Sequence, residues 1–328
     1  MTATTGVGRW RAKEDMNARL KVFAGRSHPA LTQAICDALD LPLGASEVVQ
    51  FSNENLMVRI LENVRECDVF YVQTSSTPVN DHLVEMLIAI DALKSASAAR
   101  VTAVLPYFPY ARSDKKDQPR ISISARLVAD LLETAGADRV LTMDLHSPQI
   151  QGFFRRPVDQ LAAAPIVCDH LRTWDLTDTV LVAGDAGEAK ELGRYANRLN
   201  LPMAVVDKRR LGNDDKAVAT NLIGDVDGKR AIIVDDEIAT GGTIVEAARF
   251  LRQRGAVSVS VAATHGVFSG PAMSRIDGPE SPFERVVTTD TVPLGQKSSP
   301  RLQVLSVAPF FAKAIRRIHD GDSVSDLF

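Results

Sequence analysis

The sequence predicts an α/β protein with two similar domains, each built on a mainly parallel sheet flanked by helices. From Leu20 onward, short runs rich in β-branched residues alternate with longer amphipathic stretches, which is typical of alternating strands and helices. The runs VTAVLPY and VLTMDL are apolar almost throughout, as expected of parallel strands that are covered on both faces. A second series of strands and helices follows the first, so the same architecture is expected twice.

Strands and helices of the first series are distinguished by their apolar patterns. The predicted strands are short and rich in Val, Phe and Tyr, whereas the predicted helices are longer and carry apolar residues at three- and four-residue spacing. In chain order the segments are LKVFAG (strand), PALTQAICDALDL (helix), DVFYVQT (strand), PVNDHLVEMLIAIDALKSA (helix), RVTAVLPYF (strand), SISARLVADLLETAG (helix) and RVLTMDL (strand).

The second series begins after a join between Pro157 and Pro165. Its segments are TVLVAGD (strand), residues 189–199 (helix), MAVVDK (strand, ending at Asp207), residues 211–220 (polar, mobile loop), RAIIVDD (strand), IVEAARFLRQRG (helix), SVSVAATHG, VVTTDTV and LQVLSVAP (strands). We therefore predict a first domain over residues 17–160 and a second over residues 161–328. Residues 1–16 lack apolar periodicity and are predicted to form a mobile extension without chemistry.

Composition narrows the class of protein. Of the 328 residues, 45% are apolar and 24% are charged, close to the average for globular proteins, and the net charge of −3 does not indicate a nucleic-acid partner. Cys36, Cys67 and Cys168 are far apart, which argues against a disulfide framework or a zinc site and favours a cytoplasmic location. No apolar run approaches the length of a membrane helix, so no membrane partner is expected.

The strongest motif is AIIVDDEIATGGTIVEAARF, residues 231–250. Its glycines allow backbone N–H groups to approach phosphate oxygens, and the following helix N-terminus favours an anion. The acids Asp235 and Asp236 can accept hydrogen bonds from ribose hydroxyls or hold a divalent cation. The motif suits a ribose 5-phosphate group; the alternative is an acidic turn followed by an ordinary helix cap.

The strand, the acid pair and the Thr-Gly-Gly-Thr loop resemble the ribose-phosphate loop of type I phosphoribosyltransferase folds. Other segments are similar to the ribose-phosphate pyrophosphokinase family, from about Leu20 to the C-terminus: RILENVRECDVF, PVNDHLVEMLI, YFPYARSDKKD, LVADLLETAGADRVLTMDLH, QIQGFF, VVDKRR, NLIGDV and ATHGVFSGPA. The resemblance implies two tandem type I phosphoribosyltransferase-like domains. It also implies transfer of the diphosphate of ATP to O1 of ribose 5-phosphate, which gives 5-phosphoribosyl 1-diphosphate and AMP.

The resemblance also implies the residues of each site. Ribose 5-phosphate would be bound by Asp235, Asp236, Ala239, Thr240, Gly241, Gly242 and Thr243. The diphosphate loop would contain Asp185, Ala186 and Gly187. ATP would be bound by Arg112, Ser113, Asp117 and His146, and by Phe51, Ser52, Asn53 and Asn55 from a neighbouring subunit. A regulatory pocket for phosphate or ADP would involve Arg120, Ser323, Ser325 and Phe328.

Two further roles follow from the same resemblance. Lys208 and Arg210 match the cations of a flexible loop that closes over the transferring diphosphate. Such cations suit the reaction because transfer at phosphorus depends on positioning and on neutralising developing charge. His146 and Asp185 match positions that help to hold Mg²⁺, which usually takes its other ligands from water and substrate phosphates. Without the resemblance, a solvated basic loop and a structural histidine would be the better interpretations.

Four residues depart from the family pattern and lie near the expected nucleotide and diphosphate. Asn55 replaces a carboxylate, Ser113 replaces a frequent Gln, Glu188 replaces a small residue, and Ala239 replaces a frequent Asp. A carboxylate at residue 188 is unfavourable for an anion site unless it points away. Ala-Thr-Gly-Gly-Thr also occurs in adenine phosphoribosyltransferases, so a ribose-phosphate cradle tolerates Ala239.

Three functions therefore compete at this stage. The leading one is an active pyrophosphokinase that works as a homo-oligomer, with dimers grouped into hexamers as in the family. The second is a catalytically silent homologue that regulates an active synthetase, although this chain keeps the loop cations and metal residues. The third is a phosphoribosyltransferase, which does not explain the YFPYARSDKKD segment or a whole first domain.

The amide at residue 55 predicts relaxed nucleotide choice. An ionised carboxylate only accepts hydrogen bonds and favours the exocyclic amine of adenine, whereas Asn55 can also donate to a carbonyl such as that of guanine. Asn55→Glu should therefore sharpen the preference for ATP over GTP by roughly 1–3 kcal/mol, because an unpaired buried group penalises the mismatched base. Competition assays with both nucleotides measure this. An equally strong ATP preference in both proteins would show that residue 55 does not contact the base.

Overall fold

A computed structural model of the protein describes residues 19–210 and 217–327. The predicted extension of residues 1–16, the loop residues 211–216 and Phe328 lie outside the described residues. The chain divides into two compact units, one holding the described residues up to Leu161 together with those from Ala308 onward, and the other spanning Ala162–Val307.

The first unit is an α/β layer structure on a parallel sheet. Its strands are β1 (Leu20–Ala24), β2 (Ser46–Gln50), β3 (Leu56–Ile60), β4 (Asp68–Val72), β5 (Arg100–Leu105), β6 (Arg139–Met143) and β7 (Val158–Leu161). Its first three helices are α1 (Pro29–Leu39), α2 (Val79–Ser95) and α3 (Ser124–Ala135). Five strands form the sheet in the order β1-β4-β5-β6-β7, all parallel, while β2 and β3 form a separate antiparallel hairpin.

The second unit repeats the pattern with a larger sheet. Its helices are α4 (Ala164–Leu171), α5 (Ala189–Leu199), α6 (Gly242–Gln253) and α7 (Ala272–Asp277). Its strands are β8 (Thr179–Ala183), β9 (Met203–Arg210), β10 (Ala217–Ile223), β11 (Arg230–Ile238), β12 (Ser258–Gly266), β13 (Val286–Thr289) and β14 (Leu302–Leu305). The sheet order is β10-β9-β8-β11-β12-β13-β14, and every pair is parallel except β9 with β10. The predicted α/β class with mainly parallel sheets is confirmed.

The central strands are buried because helices cover them. Every residue of β4 and of β8 is buried, as the nearly continuous apolar runs of these strands require. In the first unit the buried side chains of Met86, Ile90 and Leu93 of α2 pack with the sheet residues of one cluster. Within the described residues, the helices are too short or too polar to cross a lipid bilayer.

The C-terminal residues belong to a different unit from the one that the sequence predicts. The sequence assigns residues 161–328 to the second domain, whereas α8 (Ala308–Asp320) belongs to the first unit and packs against α1. The buried face of α8, which includes Phe311 and Ile315, needs an apolar partner, and amphipathic periodicity alone does not say which unit supplies it.

A buried ionic cluster fixes α8 to the first sheet. Arg100 donates to Asp68 Oδ1 at 2.7 Å and to the carbonyl of Ile318 at 2.9 Å, while His319 Nδ1 lies 2.8 Å from Asp68 Oδ2. Burial raises the pKa of Asp68, but hydrogen bonds from His319 and Arg100 outweigh it, so the pKa is lowered overall. The ionised form of Asp68 is therefore favoured by folding.

We expect Asp68→Asn to destabilise the first unit by about 2 kcal/mol at pH 7, because charge-assisted hydrogen bonds to a mostly buried carboxylate are lost. Since the folded pKa of Asp68 lies below the unfolded value, its stabilising effect is present at neutral pH and disappears as pH falls through the folded pKa. Urea unfolding, with hydrogen exchange of α8, measures both effects.

A matched control is Asp175→Asn, which removes an exposed pair with Arg230 at 2.7 Å and should change the stability much less than Asp68→Asn does, because solvent screens the pair. Equal losses for the two variants, or a loss at Asp68 that persists at acid pH, would contradict the interpretation.

Candidate active site

The register of the second sheet brings three chain segments to one edge. Ala183 of β8 lies opposite Val205 of β9 on one side and opposite Val234 of β11 on the other. Because these strands are parallel, the residues that follow them emerge side by side at their carboxyl ends. The segments so aligned are Gly184–Glu188, Asp207–Arg210 and Asp235–Thr243, which contain the predicted diphosphate loop, loop cations and ribose-phosphate motif.

The ribose-phosphate motif forms a strand, a tight loop and a helix start. β11 continues to Ile238, two residues beyond the predicted end of the strand at Asp236. Pairing of Asp235 with Ala263 and of Glu237 with His265 of β12 explains the longer strand. Ala239, Thr240 and Gly241 then form the turn, and α6 begins at Gly242.

Gly241 gives this turn its shape. Its φ is +74°, in the left-handed region that glycine enters without strain, and it caps the N-terminus of α6. The first N–H groups of a helix have no partner within the helix, so the turn from Gly241 through Thr243 presents donors and the positive end of the helix dipole. This is an arrangement suited to an anion such as a phosphate group.

The surroundings of Asp235 disfavour its ionised form. Burial, with the adjacent charge of Asp236, raises the pKa of Asp235 well above its usual range. The Asp236 N–H donates to Asp235 Oδ1 at 2.9 Å, which offsets only part of that effect. A ligand that brings hydroxyl donors or positive charge to this pair would favour the ionised form.

The segment after β8 closes on itself. Asp185 Oδ1 accepts from the N–H groups of Gly187 at 2.8 Å and of Glu188 at 3.3 Å, and residues Ala186–Glu188 form a 3₁₀ turn that leads into α5. The carboxylate of Glu188 lies close enough to raise the pKa of Asp235 further. The departure at residue 188 therefore adds negative charge to this edge.

The predicted mobile loop is shorter than expected. The backbone of β9 continues through Lys208 to Arg210 and pairs with β10, with Lys208 opposite Ala219 and Arg210 opposite Ala217. The sequence interpretation ended the strand at Asp207 and placed residues 217–220 in the loop, which was wrong because the antiparallel ladder supplies the hydrogen bonds for this polar stretch.

In the first unit, the predicted ATP residues follow neighbouring strands. Arg112 and Asp117 are exposed on the loop after β5, and His146 follows β6. Between β6 and His146, Asp144 has a φ of +34°, which is unusual for a residue with a side chain. β5 and β6 are adjacent and parallel, so these residues share the carboxyl edge of the first sheet.

Ser113 has a local structural role that the sequence did not indicate. Its N–H donates to the Tyr110 carbonyl at 2.9 Å, and its carbonyl accepts from the Ala125 N–H at 3.2 Å. Its hydroxyl lies 3.5 Å from the N–H of Ser124, at the start of α3. The residue that replaces a frequent Gln thus connects the loop to α3.

The predicted cross-subunit segment is an exposed hairpin tip. Residues Phe51–Asn55 join β2 to β3, with the Phe51 N–H donating to the Asn55 carbonyl at 2.9 Å and the Asn55 N–H to Asn53 Oδ1 at 3.3 Å. Ser52 and Asn55 are exposed, and Phe51 is 49% exposed, which argues against the core role that an isolated Phe usually has. The tip is therefore available to another molecule.

The metal donors form an incomplete set. Within the residues 19–210 and 217–327, no three His, Cys, Asp or Glu side chains come together as a metal site. Asp185 offers an exposed carboxylate and His146 an imidazole at a strand end. Each is a donor type that Mg²⁺ accepts, and Mg²⁺ usually takes most of its ligands from phosphate and water.

The predicted regulatory residues lie on the surface of the first unit. Ser323 and Ser325 are exposed, with the Ser325 N–H donating to Ser323 Oγ at 3.2 Å in the turn after α8. Arg120 is exposed on the loop after β5 and has a φ of +66°.

Sequence reasoning missed three features of these edges. Asp114 Oδ1, beside the predicted ATP residue Ser113, is buried without a hydrogen-bond partner, and Asp144 has its unusual backbone conformation. Arg275 of α7 donates to the Thr240 carbonyl at 2.7 Å in the ribose-phosphate loop. Only the position of Asp144 between an apolar strand and His146 gave a signal in the sequence; the other two depend on tertiary contacts.

We expect Asp235→Asn to stabilise the second unit at pH 8, raising its melting temperature by roughly 2–4 °C. The raised folded pKa means that the unfolded chain releases the proton first, so wild-type stability falls as pH rises above about 3.8. The Asn variant does not titrate and keeps an oxygen for the Asp236 N–H. Its advantage should grow from acid to alkaline pH; an advantage greatest near pH 4 would contradict the assignment.

Comparisons with known proteins agree with this geometry. The family model described as the N-terminal domain of ribose phosphate pyrophosphokinase matches residues 20–136, and the one described as the phosphoribosyl synthetase-associated domain matches residues 213–328. The phosphoribosylpyrophosphate synthetase of Mycobacterium smegmatis superposes with a TM-score of 0.87 at 44% identity, covering 92% of this chain and 99% of that one.

Two curated relatives are similar over nearly their whole length. The ribose-phosphate pyrophosphokinase of Deinococcus radiodurans is 52% identical over 322 residues, which are 95% of this chain and 100% of that protein. That of Caldanaerobacter subterraneus subsp. tengcongensis is 50% identical over 311 residues, 94% of this chain and 98% of the relative. The predicted resemblance is confirmed: the chain belongs to the ribose-phosphate pyrophosphokinase family, whose members are diphosphotransferases.

Proposed function

We propose that this protein transfers the β,γ-diphosphate of ATP to O1 of ribose 5-phosphate and releases 5-phosphoribosyl 1-diphosphate and AMP, for nucleotide biosynthesis. The observation that carries the proposal is the edge of the second sheet, where an anion-binding turn follows the acid pair of Asp235 and Asp236. Family membership over nearly the whole chain supports the reaction class.

Both ends of the sugar phosphate carry groups that this edge can bind. The N–H groups from Gly241 through Thr243, with the hydroxyls of Thr240 and Thr243, would bind the 5-phosphate. Asp235 and Asp236 would accept hydrogen bonds from the ribose hydroxyls, which would favour the charged form of Asp235. Binding at both ends would hold O1 toward the neighbouring segments after β8 and β9.

Transfer forms a bond between O1 and the β-phosphorus and breaks the bond from that phosphorus to the oxygen that AMP retains. Negative charge develops on the transferring group and on the leaving AMP. Lys208 and Arg210 of β9 would neutralise that charge, and the segment from Asp185 to Gly187 would contact the diphosphate.

The cofactor would be Mg²⁺ held by His146 and Asp185 together with substrate phosphates and water. When bound, it would neutralise phosphate charge and align the diphosphate. Glu188 increases the negative charge at this edge, so a cation is more strongly required here than where the residue is small.

ATP would be bound by Arg112, Ser113, Asp117 and His146, with the exposed hairpin tip Phe51–Asn55 contributed by a neighbouring subunit. The exposure of Phe51 supports the second contribution. A tip contributed by a neighbour requires a homo-oligomer. We propose that dimers group into hexamers and that the protein is cytoplasmic. We further propose that Arg120, Ser323, Ser325 and Phe328 line a regulatory site for phosphate or ADP.

AMP release from ATP, measured with and without ribose 5-phosphate, tests the function. We expect release that depends on the sugar phosphate, with equimolar 5-phosphoribosyl 1-diphosphate. Release without the sugar phosphate, or none in either condition, would contradict the proposal. The second outcome is expected of a silent regulatory homologue, while a phosphoribosyltransferase would require a nucleobase or release one.

Lys208→Ala should lower kcat by about two orders of magnitude or more while changing the KM of either substrate much less, because its charge acts mainly on the transition state. Steady-state kinetics with each substrate varied in turn measure the split. A variant with nearly normal kcat would remove Lys208 from the mechanism.

Mixing two inactive variants tests the shared pocket. If the tip of one subunit completes the ATP site of another, Phe51→Ala and Lys208→Ala should each lose most of their activity. After dissociation and reassembly together, a site that combines an intact tip from one chain with an intact Lys208 from the other should recover about a quarter of wild-type activity, as random pairing of two chains predicts. Reassembly of each variant alone is the control, and no recovery in a verified mixed oligomer would argue against the shared pocket.

A further inference from the structure

Three successive carbonyl groups lead into the ribose-phosphate loop, and one other segment of the chain holds all three. The Phe268 N–H donates to the Ile238 carbonyl at 2.9 Å, and the Ser269 N–H donates to the Ala239 carbonyl at 2.8 Å. The third carbonyl, that of Thr240, accepts from Arg275 Nη1 at 2.7 Å. Two main-chain N–H groups just after β12 thus hold the first two carbonyls, and one side chain of α7 holds the third.

Arg275 lies directly against the two glycines of the loop. A Cβ added to Gly241 would come within 3.9 Å of Arg275 Cδ and of Ala272 Cα, and a Cβ added to Gly242 would lie 3.4 Å from Arg275 Nη1. These are ordinary van der Waals separations, so Arg275 packs against the loop without crowding it. The close approach allows the guanidinium to reach the Thr240 carbonyl.

This contact controls the direction of a donor. The Thr240 carbonyl and the Gly241 N–H belong to one planar trans peptide unit, in which the two groups point in opposite directions. When Arg275 holds the carbonyl on the α7 side, the Gly241 N–H is directed to the other side of the loop. Without that bond, rotation about the flexible glycine bonds would let the carbonyl oxygen turn toward a bound phosphate and repel it.

We propose that Arg275 is a positioning residue for ribose 5-phosphate, which orders the Thr240–Gly241 peptide so that the loop presents its N–H groups to the 5-phosphate. The inference rests on the proposed function and adds a residue 35 positions away in the chain from the loop that it orders. Arg275 acts through the backbone, so it contributes to sugar-phosphate binding and not to ATP binding.

The test compares Arg275→Ala and Arg275→Lys with a matched control, Arg301→Ala. Arg301 Nη1 also donates to a main-chain carbonyl of α7, that of Ile276 at 3.2 Å, but away from the loop. Arg275→Ala should raise the KM for ribose 5-phosphate about tenfold or more, since a charge-assisted hydrogen bond to the loop is lost. The KM for ATP should change less than about twofold, and Arg301→Ala should resemble wild type.

Two further measurements separate ordering of the loop from general damage. Arg275→Lys should lie between Ala and wild type, and guanidinium chloride at millimolar concentration should partly restore the KM of Arg275→Ala. The rise in melting temperature that ribose 5-phosphate causes in wild type should shrink in Arg275→Ala and persist in Arg301→Ala.

The outcomes distinguish this inference from the proposed function. A wild-type protein without sugar-phosphate-dependent AMP release would overturn both. An active wild type with an unchanged ribose 5-phosphate KM in Arg275→Ala would overturn the inference alone. Equal increases in both KM values, with no rescue by guanidinium, would also overturn it, because they would show a general structural role.

Discussion

The site of the second unit depends on one constraint, the parallel register in which Ala183 lies between Val205 and Val234. A slip of one residue in either pair would move the side chains of β8 or β11 to the opposite face of the sheet and disrupt their close packing there, so packing on both faces fixes the register. With this register, the segments that begin at Gly184, Asp207 and Asp235 emerge together. Residues more than fifty positions apart in the chain therefore form one candidate site without any added contact.

The chemistry of that edge is a balance of opposite charges. The acid pair and Glu188 disfavour an anion, and burial already raises the pKa of Asp235. The turn at Gly241 and the dipole of α6 favour an anion a few residues further along. A sugar phosphate has neutral hydroxyls at one end and a dianion at the other, so it matches this arrangement better than a simple phosphate does. The acid pair and the anion-binding turn thus act as two halves of one recognition site.

Much of this architecture could be predicted from local patterns. The strand runs, the amphipathic helices and the Gly-Gly turn each depend on neighbouring residues, and they appear where the sequence places them. The extension of β9 to Arg210 could not be predicted in this way, because polar residues such as Lys208 become strand residues only through pairing with β10. The return of α8 to the first unit could not either, since the contacts of Asp68 with Arg100 and His319 join residues far apart in the chain.

The site shows the same division. The acids at Asp235 and Asp236 and the loop after them follow from the residue types, but the raised pKa of Asp235 depends chiefly on its burial in the fold. The role of Ser113 at the start of α3 and the contact of Arg275 with Thr240 are tertiary, and nothing in the local sequence indicates them. The residues that depart from the family pattern could be identified in the sequence, whereas the effects of these residues could be determined only from the folded structure.

The edge of the second sheet should hold ribose 5-phosphate so that O1 attacks phosphorus and the sugar carbon keeps its oxygen. Ribose 5-phosphate labelled with ¹⁸O at O1, used before the label exchanges with water, tests this, with ³¹P NMR of the products. We expect 5-phosphoribosyl 1-diphosphate that retains the label between C1 and the diphosphate, together with unlabelled AMP. A product that has lost the label would show instead that the bond from C1 to O1 breaks, as in phosphoribosyl transfer.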